Sequence, residues 1–267
     1  MEERQILVVG VGEVGGALAE VLERKYVVAR HDLERQEVVG PIEVMHLCFP
    51  FKTRAQFVDA SVGYINRFKP ALTIVNSTVV PGTVREITTR ANAPVAYSPV
   101  RGKHARMTAE LLHYTKFVAA LDSNAVELAT EHFRAVGMSV RSFDRLETLE
   151  LAKLAETTYF GVLIAFAQEL NRLAERVGGD YAEAIEFFED VDFLPRTRYF
   201  PGVIGGHCVI PNIGLLRKVA RSSLFEAVLK SNRLRAAETA AEEPAALRLG
   251  LGRSNNREPH GDENHGR

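Results

Sequence analysis

Seven short apolar runs dominate the first 145 residues and leave the chain few ways to fold. They are QILVVG (5–10), YVVARH (26–31), EVMHLCF (43–49), ALTIVN (71–76), PVAYS (94–98), KFVAAL (116–121) and MSVRSF (138–143). Runs of this length, rich in valine, read as strands. Between most of them lie stretches of helical periodicity: Ala17 to Arg24, Thr53 to Phe68, Thr83 to Ala91 and Asn124 to Val136. Such alternation predicts an α/β fold, a Rossmann-like, doubly wound and mostly parallel sheet with helices on both faces.

The first strand runs into VVGVGEVGGALAEVL, which sets Gly10, Gly12 and Gly15 at the entrance of a helix. The first glycine permits the tight turn and the second lets backbone approach a pyrophosphate. The third allows close helix–strand packing, and the helix N-terminus faces the anion. Asp32 ends the second strand, where a carboxylate can bind the adenosine ribose hydroxyls. Strand, triplet, helix, strand and acid in this order predict NAD binding, with Glu13 and Val14 inside the loop. Asp32 repels a 2′-phosphate, whereas Arg30 and Arg35 could accept one, so NADP stays open beside NAD.

After Phe143 the pattern changes. From about Glu147 to Val177 there is no proline, and Gly161 is the only glycine. Leu151, Leu154, Ala155, Val162, Ala165, Phe166, Leu170, Leu173 and Ala174 recur at helical spacing. One helix of roughly 30 residues, about 45 Å long, is predicted. Gly178–Gly179 end it. DYAEAIEFFED forms the next helix, capped by Asp180. The stretch 213–243 reads as helical again. From residue 242 onward aromatics vanish and polar residues dominate, which predicts a disordered tail over 242–267. The expected organisation is a cofactor-binding domain over 1–145 and an all-α domain with one long helix over 146–241.

Composition narrows the function class. The 267 residues carry a formal net charge of −1, so no basic footprint for nucleic acid or an anionic membrane is visible. No apolar run approaches the ~18 residues of a membrane span, and the opening MEERQILVVG is not a signal peptide. The two cysteines, Cys48 and Cys208, show no metal-ligand spacing, and no metal is expected. A soluble, cytoplasmic setting fits. Cys48, at the end of an apolar strand, reads as core. Cys208 follows Gly205, Gly206 and His207 in PGVIGGHCVIPN. It is either a nucleophile on a tight loop or a small buried thiol.

Four separated stretches, NSTVVPGTV (76–84), YSPVRG (97–102), ELAKLAETTYFGVLIAFAQELNRLAERVG (150–178) and PRTRYFPGVIGGHCVIPN (195–212), resemble the UDP-glucose/GDP-mannose dehydrogenase family in type and order. The flavour is that of its UDP-N-acetylmannosamine dehydrogenases. The resemblance covers about residues 4–230. It implies an NAD-dependent oxidation of a sugar nucleotide's primary alcohol to a carboxylate, in two hydride transfers. It also implies an N-terminal Rossmann domain, a central helical domain that dimerises through a long helix, and a third, nucleotide-binding domain. This chain stops where the third should begin, so a short form is expected.

Carried over position by position, the resemblance makes Cys208 the nucleophile and Lys153 the oxyanion-stabilising lysine. Ser77 and Thr78 fall by the nicotinamide and water site, with Pro50 near the adenine-ribose edge. Ser98 and Pro99 open the substrate loop, and Arg196 or Arg198 reaches the substrate. Gly205, Gly206 and His207 shape the cysteine loop. Arg101, Lys103 and His104 form a basic cluster that can grip a phosphate or carboxylate, or is simply solvated. Three positions depart from the family. Thr157 replaces an asparagine, Val100 a glutamate, and Asn212 an aspartate. All three touch the hydrolytic step, because asparagine and valine cannot take a proton from water. Two functions follow: a sugar-nucleotide or related sugar dehydrogenase, and a degenerate NAD(H)-binding module that regulates or scaffolds. A homodimer through the long helix is expected, the alternative being burial of its apolar faces within one chain.

Overall fold

The computed structural model describes residues 5–32, 40–102, 106–189, 191, 199–206 and 208–248. Seven strands form one sheet: β1 (Gln5–Val9), β2 (Val28–His31), β3 (Ile42–Leu47), β4 (Leu72–Val75), β5 (Val95–Tyr97), β6 (Lys116–Ala120) and β7 (Val140–Ser142). All seven fall on the apolar runs. Their order is β2-β1-β3-β4-β5-β6-β7. The first five are parallel, β6 runs antiparallel to β5, and β7 parallels β6.

Helices α1 (Glu13–Leu22), α2 (Arg54–Phe68), α3 (Thr83–Ala91), α4 (Met107–His113) and α5 (Ser123–Ala135) connect the strands. Two cores lie on the two faces of the sheet. One joins Ile6, Val8, Leu18, Leu22, Ile74, Ala129 and Phe133. The other joins Leu7, Val9, Met45, Leu47, Phe57, Val84 and Ile87. Alternate residues of β1 thus serve opposite cores, as the strand period of two requires. α4 escaped the sequence reading because its seven residues are too few for helical periodicity to declare itself.

The long helix α6 (Leu146–Arg176) is continuous over 31 residues. Gly178, at φ +72°, ends it, and Gly179 N donates to Ala174 O at 2.9 Å. α7 (Tyr181–Glu189) is capped as expected, Glu183 N donating to Asp180 Oδ1 at 3.0 Å. The last helical stretch is two helices, not one: α8 (Val209–Val219) and α9 (Ser223–Arg248). Ala220 is extended between them, where Ser222 and Ser223 offer the backbone a non-helical alternative. α8 starts ahead of Ile213 because Pro211 sits in its first turn, where a missing N–H is harmless. α9 continues to Arg248, past the residue where composition turns polar.

The chain divides into two compact units. The first holds 1–161 and 206–225, the second 162–205 and 226–267. In the second, Asn232 pins the segment ahead of the Gly205–Gly206 pair. Its Oδ1 accepts from Ile204 N at 2.7 Å and its Nδ2 donates to Ile204 O at 3.1 Å. Arg172 of α6 donates to Ser231 Oγ at 2.6 Å and pairs with Glu169 and Glu238.

Candidate active site

The parallel strands bring their C-terminal ends to one edge of the first unit. Gly10, Gly12, Pro50, Ser77, Thr78, Ser98 and Pro99 all follow those ends. The glycine loop has the geometry its motif requires. Gly10 sits at φ +86°, and a Cβ there would lie 2.9 Å from Phe49 N. A Cβ on Gly15 would lie 1.8 Å from Gly10 O, so only glycine lets α1 approach β1 this closely. Above Gly12 a Cβ would meet nothing within 4 Å. Gly12, the N-cap residue of α1, has no side chain to cap it, which suits an anion at this helix N-terminus. An open cavity of about 500 Å³ adjoins, lined by Gly12, Glu13 and Gly16 of α1 and by Arg106, Met107 and Thr108 of the facing segment. Val14 instead packs against the core.

Asp32 accepts a hydrogen bond from Val11 N at 3.2 Å, so its carboxylate is drawn to the glycine loop. Arg30 is engaged by Glu23 at 2.8 Å; Arg35 lies outside the described residues. These features fit a dinucleotide whose ribose meets Asp32. Cys48 packs against the core as expected, and burial pushes its thiol up to about 12, which keeps it protonated and inert.

Ser77 Oγ donates to Phe49 O at 2.6 Å, tying the loop after β4 to the loop that carries exposed Pro50. Thr78 is half-buried beside it. Ser98 is fully buried, and among the described residues its hydroxyl has no hydrogen-bond partner. Val100 turns into the core with Met107, Leu111 and Val118. The position where the resemblance implied a carboxylate is therefore a packing position here. Arg101 donates to Thr115 O at 2.7 Å and lies over the Phe117 ring at 4.8 Å. These contacts anchor Arg101, one of the three residues of the expected basic cluster. Lys103 and His104 lie outside the described residues, as do Arg196, Arg198 and His207.

α6 brings Lys153 to the same region. A cavity of about 140 Å³ is lined by Pro99, Arg101, Phe117, Phe143, Lys153 and Glu156, among others. The Lys153 side chain is 11% exposed and donates to Glu156 Oε2 at 3.1 Å. One turn on, Thr157 Oγ1 accepts from Asn212 Nδ2 at 3.0 Å. Asn212 lies in α8, whose N-cap residue is the half-exposed Cys208. Gly206, at φ +75°, makes the turn two residues earlier. The structure thus joins Thr157 with Asn212, and Lys153 with Pro99 and Arg101.

Sequence reasoning missed Glu156, although its place three residues after Lys153 marks a helical neighbour. It also missed Glu150, which is fully buried and accepts from Gly82 N at 2.6 Å and Val84 N at 2.9 Å. Burial raises Glu150 to about 7, against the pull of those two hydrogen bonds. Among the described residues, no cluster of three His, Cys, Asp or Glu is placed to hold a metal ion. Nor is any helix there long and apolar enough to cross a membrane.

Residues 147–234, which hold Lys153, Thr157, Cys208 and Asn212, match the model of the UDP-glucose/GDP-mannose dehydrogenase family, central domain. The stretch is thus similar to the central domain of that family. The UDP-N-acetyl-D-mannosamine dehydrogenase of Methanocaldococcus jannaschii is 31% identical over 142 residues, covering 52% of this chain and 33% of that protein. That of Pyrococcus horikoshii is 30% identical over 151 residues, covering 52% and 35%. The matched stretch is about a third of each relative's length. Among solved structures, a P. horikoshii UDP-D-ManNAc dehydrogenase superposes with a TM-score of 0.78 at 21% identity, covering 92% of this chain and 72% of that one. A Mycobacterium tuberculosis 3-hydroxyisobutyrate dehydrogenase superposes at 0.70 and 16% identity, covering 89% and 94%. At these identities the superpositions speak for the fold. The matched stretch thus follows a Rossmann-like sheet, the fold the sequence motifs implied.

Proposed function

We propose that the chain binds NAD(H) and oxidises the primary alcohol of a sugar nucleotide or related sugar, with Cys208 and Lys153 at the reacting centre. The observation that carries this reading is the glycine loop. It is open above Gly12, closed to any side chain at Gly10 and Gly15, and bonded to Asp32 through Val11. The central-domain match supplies the substrate class, since the relatives' names are those of sugar-nucleotide dehydrogenases. Asp32 and the engaged Arg30 favour NAD over NADP.

NAD, when bound, supplies the hydride acceptor. Gly10, Gly12 and Gly15, with Glu13 and Val14 between them, form the diphosphate turn, and Asp32 receives the ribose hydroxyls. Pro50 borders the adenine-ribose edge, and Ser77 and Thr78 border the nicotinamide side. Ser98, Pro99 and Arg101 border the substrate, and Lys153 sets a positive charge where an alkoxide develops. Cys208 adds to the carbonyl carbon of the aldehyde, its proton leaving with the forming hydroxyl, and so retains the aldehyde for a second oxidation. Such an enzyme works in the cytoplasm, as a homodimer. Tyr159, Phe166 and Leu173 stand seven residues apart on α6 and are 57%, 56% and 52% exposed, which supports that assembly.

A second reading has its own support. Val100 is buried in the core, Asn212 is bonded to Thr157, and Lys153 is paired with Glu156. Such a site suits an NAD(H)-binding module without turnover. The experiment is NADH formation by the purified protein with NAD and a panel of nucleotide sugars, sugar phosphates and sugar alcohols, counted per substrate consumed. Turnover that Cys208→Ala abolishes, with NADH affinity kept, is expected. NADH binding without turnover on any substrate selects the second reading. No NADH binding overturns both.

A further inference from the structure

Lys116 opens β6 and is 4% exposed, and among the described residues its ammonium donates to no carboxylate. A cation this deep needs a reason, because desolvation disfavours its charged form. Its Nζ donates to Ser98 O at 2.8 Å, to Pro99 O at 3.2 Å and to Asn76 Oδ1 at 3.4 Å, and lies 5.0 Å from the Phe133 ring centroid. Ser98 and Pro99 follow β5, whereas Asn76 follows β4 and precedes Ser77 and Thr78. One buried group therefore bonds to both loops at the candidate site.

Asn76 is itself held. Its Nδ2 is 3.1 Å from both Ile74 O and His46 Nδ1, which turns its Oδ1 toward Lys116. With His46 Nδ1 accepting, His46 Nε2 carries the proton and donates to His132 Nε2 at 2.9 Å. The network so runs from α5 through β3 to the two loops. An ammonium has three protons for three acceptors; methionine of similar length has none.

We propose that Lys116 is a positioning residue that locks the cofactor-side loop Asn76–Thr78 and the substrate-side loop Ser98–Arg101 into one register. The assignment of those loops to cofactor and substrate rests on the proposed function. Among the described residues, the groups facing Lys116 are His46 from β3 and Cys48 after it, Asn76 after β4, the two carbonyls and Arg101 after β5, His132 and Phe133 from α5, and Lys153 from α6. Burial, with Lys153 and Arg101 adding to it, holds Lys116 down to about 7. As pH rises through that value the group loses one of its three donors, so the lock weakens above neutrality.

The test is hydrogen exchange by mass spectrometry on wild type, Lys116→Met and Lys116→Arg, with and without NADH. In Lys116→Met, exchange in 76–78 and 98–102 rises roughly tenfold or more, the scale of a lost charge-assisted hydrogen bond, while α1 keeps its protection. In wild type, exchange corrected for intrinsic rate rises in the same segments between about pH 6 and pH 8.5, and in a folded Lys116→Arg it stays flat. Unchanged exchange in Lys116→Met, or a flat wild-type profile, overturns the proposal. The wild-type profile decides alone if neither variant folds. Failure of wild type to bind NADH sinks the proposed function instead and leaves the exchange result readable.

Discussion

Asn212 Nδ2 donates to Thr157 Oγ1 at 3.0 Å, joining the first turn of α8 to the middle of α6. Thr157 Oγ1 in turn donates to Leu154 O at 3.1 Å. Both residues stand where the family resemblance implies others, and here they partner each other. A carboxylate at 212 could only accept from Thr157, and would take the hydroxyl's proton from Leu154 O, so the two departures form one matched change. Asn212→Ala should lower stability by about 1 kcal/mol in urea unfolding, since it removes this hydrogen bond from a buried side chain while Thr157 keeps its bond to Leu154 O. Thr157→Asn and Asn212→Asp together should raise NADH formation beyond the product of the single effects. A double-mutant cycle with no coupling would show that the pair is not a unit.

The glycine loop makes a sharper prediction. Gly15→Ala sets a methyl 1.8 Å from Gly10 O, and the clash is with backbone, which cannot rotate away. Gly10→Ala combines a 2.9 Å contact with a left-handed φ, which alone is worth about 1–2 kcal/mol. Both variants should melt lower and lose NADH affinity. Gly63→Ala, inside α2 with open space around it, should keep NADH affinity and melt no lower. Fluorescence titration with NADH beside a thermal melt checks all three.

Acid should act through the buried histidine pair. Burial depresses His132 to about 4, and burial with neighbouring His132 and Lys116 depresses His46. Between about 4 and the ordinary 6.5 the unfolded chain binds more protons, so this pair makes stability rise with pH across that window. Glu150 opposes it. Its folded value of about 7 exceeds the ordinary 4.5, so its contribution falls as pH rises between them. Comparing wild type with His132→Gln by urea unfolding at pH values across the window separates the two. The variant should have the less positive slope, and an identical slope would refute the assignment.

The exposed faces of Phe166 and Leu173 predict association. Phe166→Glu with Leu173→Glu should shift the protein to monomer on a sizing column at equal concentration, without a change in helicity. Wild type eluting as a monomer would remove the dimer from the proposal.

Period and punctuation in the chain were enough for the seven strands, the 31-residue helix and the Asp180 cap, because each follows from neighbours a few residues apart. The glycine triplet and Asp32 were legible for the same reason. Tertiary packing alone settled the rest. Nothing local announces that Val100 faces a core, that Arg101 is spent on Thr115 and Phe117, or that Lys116 lies beneath two loops. Those outcomes depend on which strand ends become neighbours, and desolvation, which decides how a lysine or histidine behaves, is a property of the assembled fold.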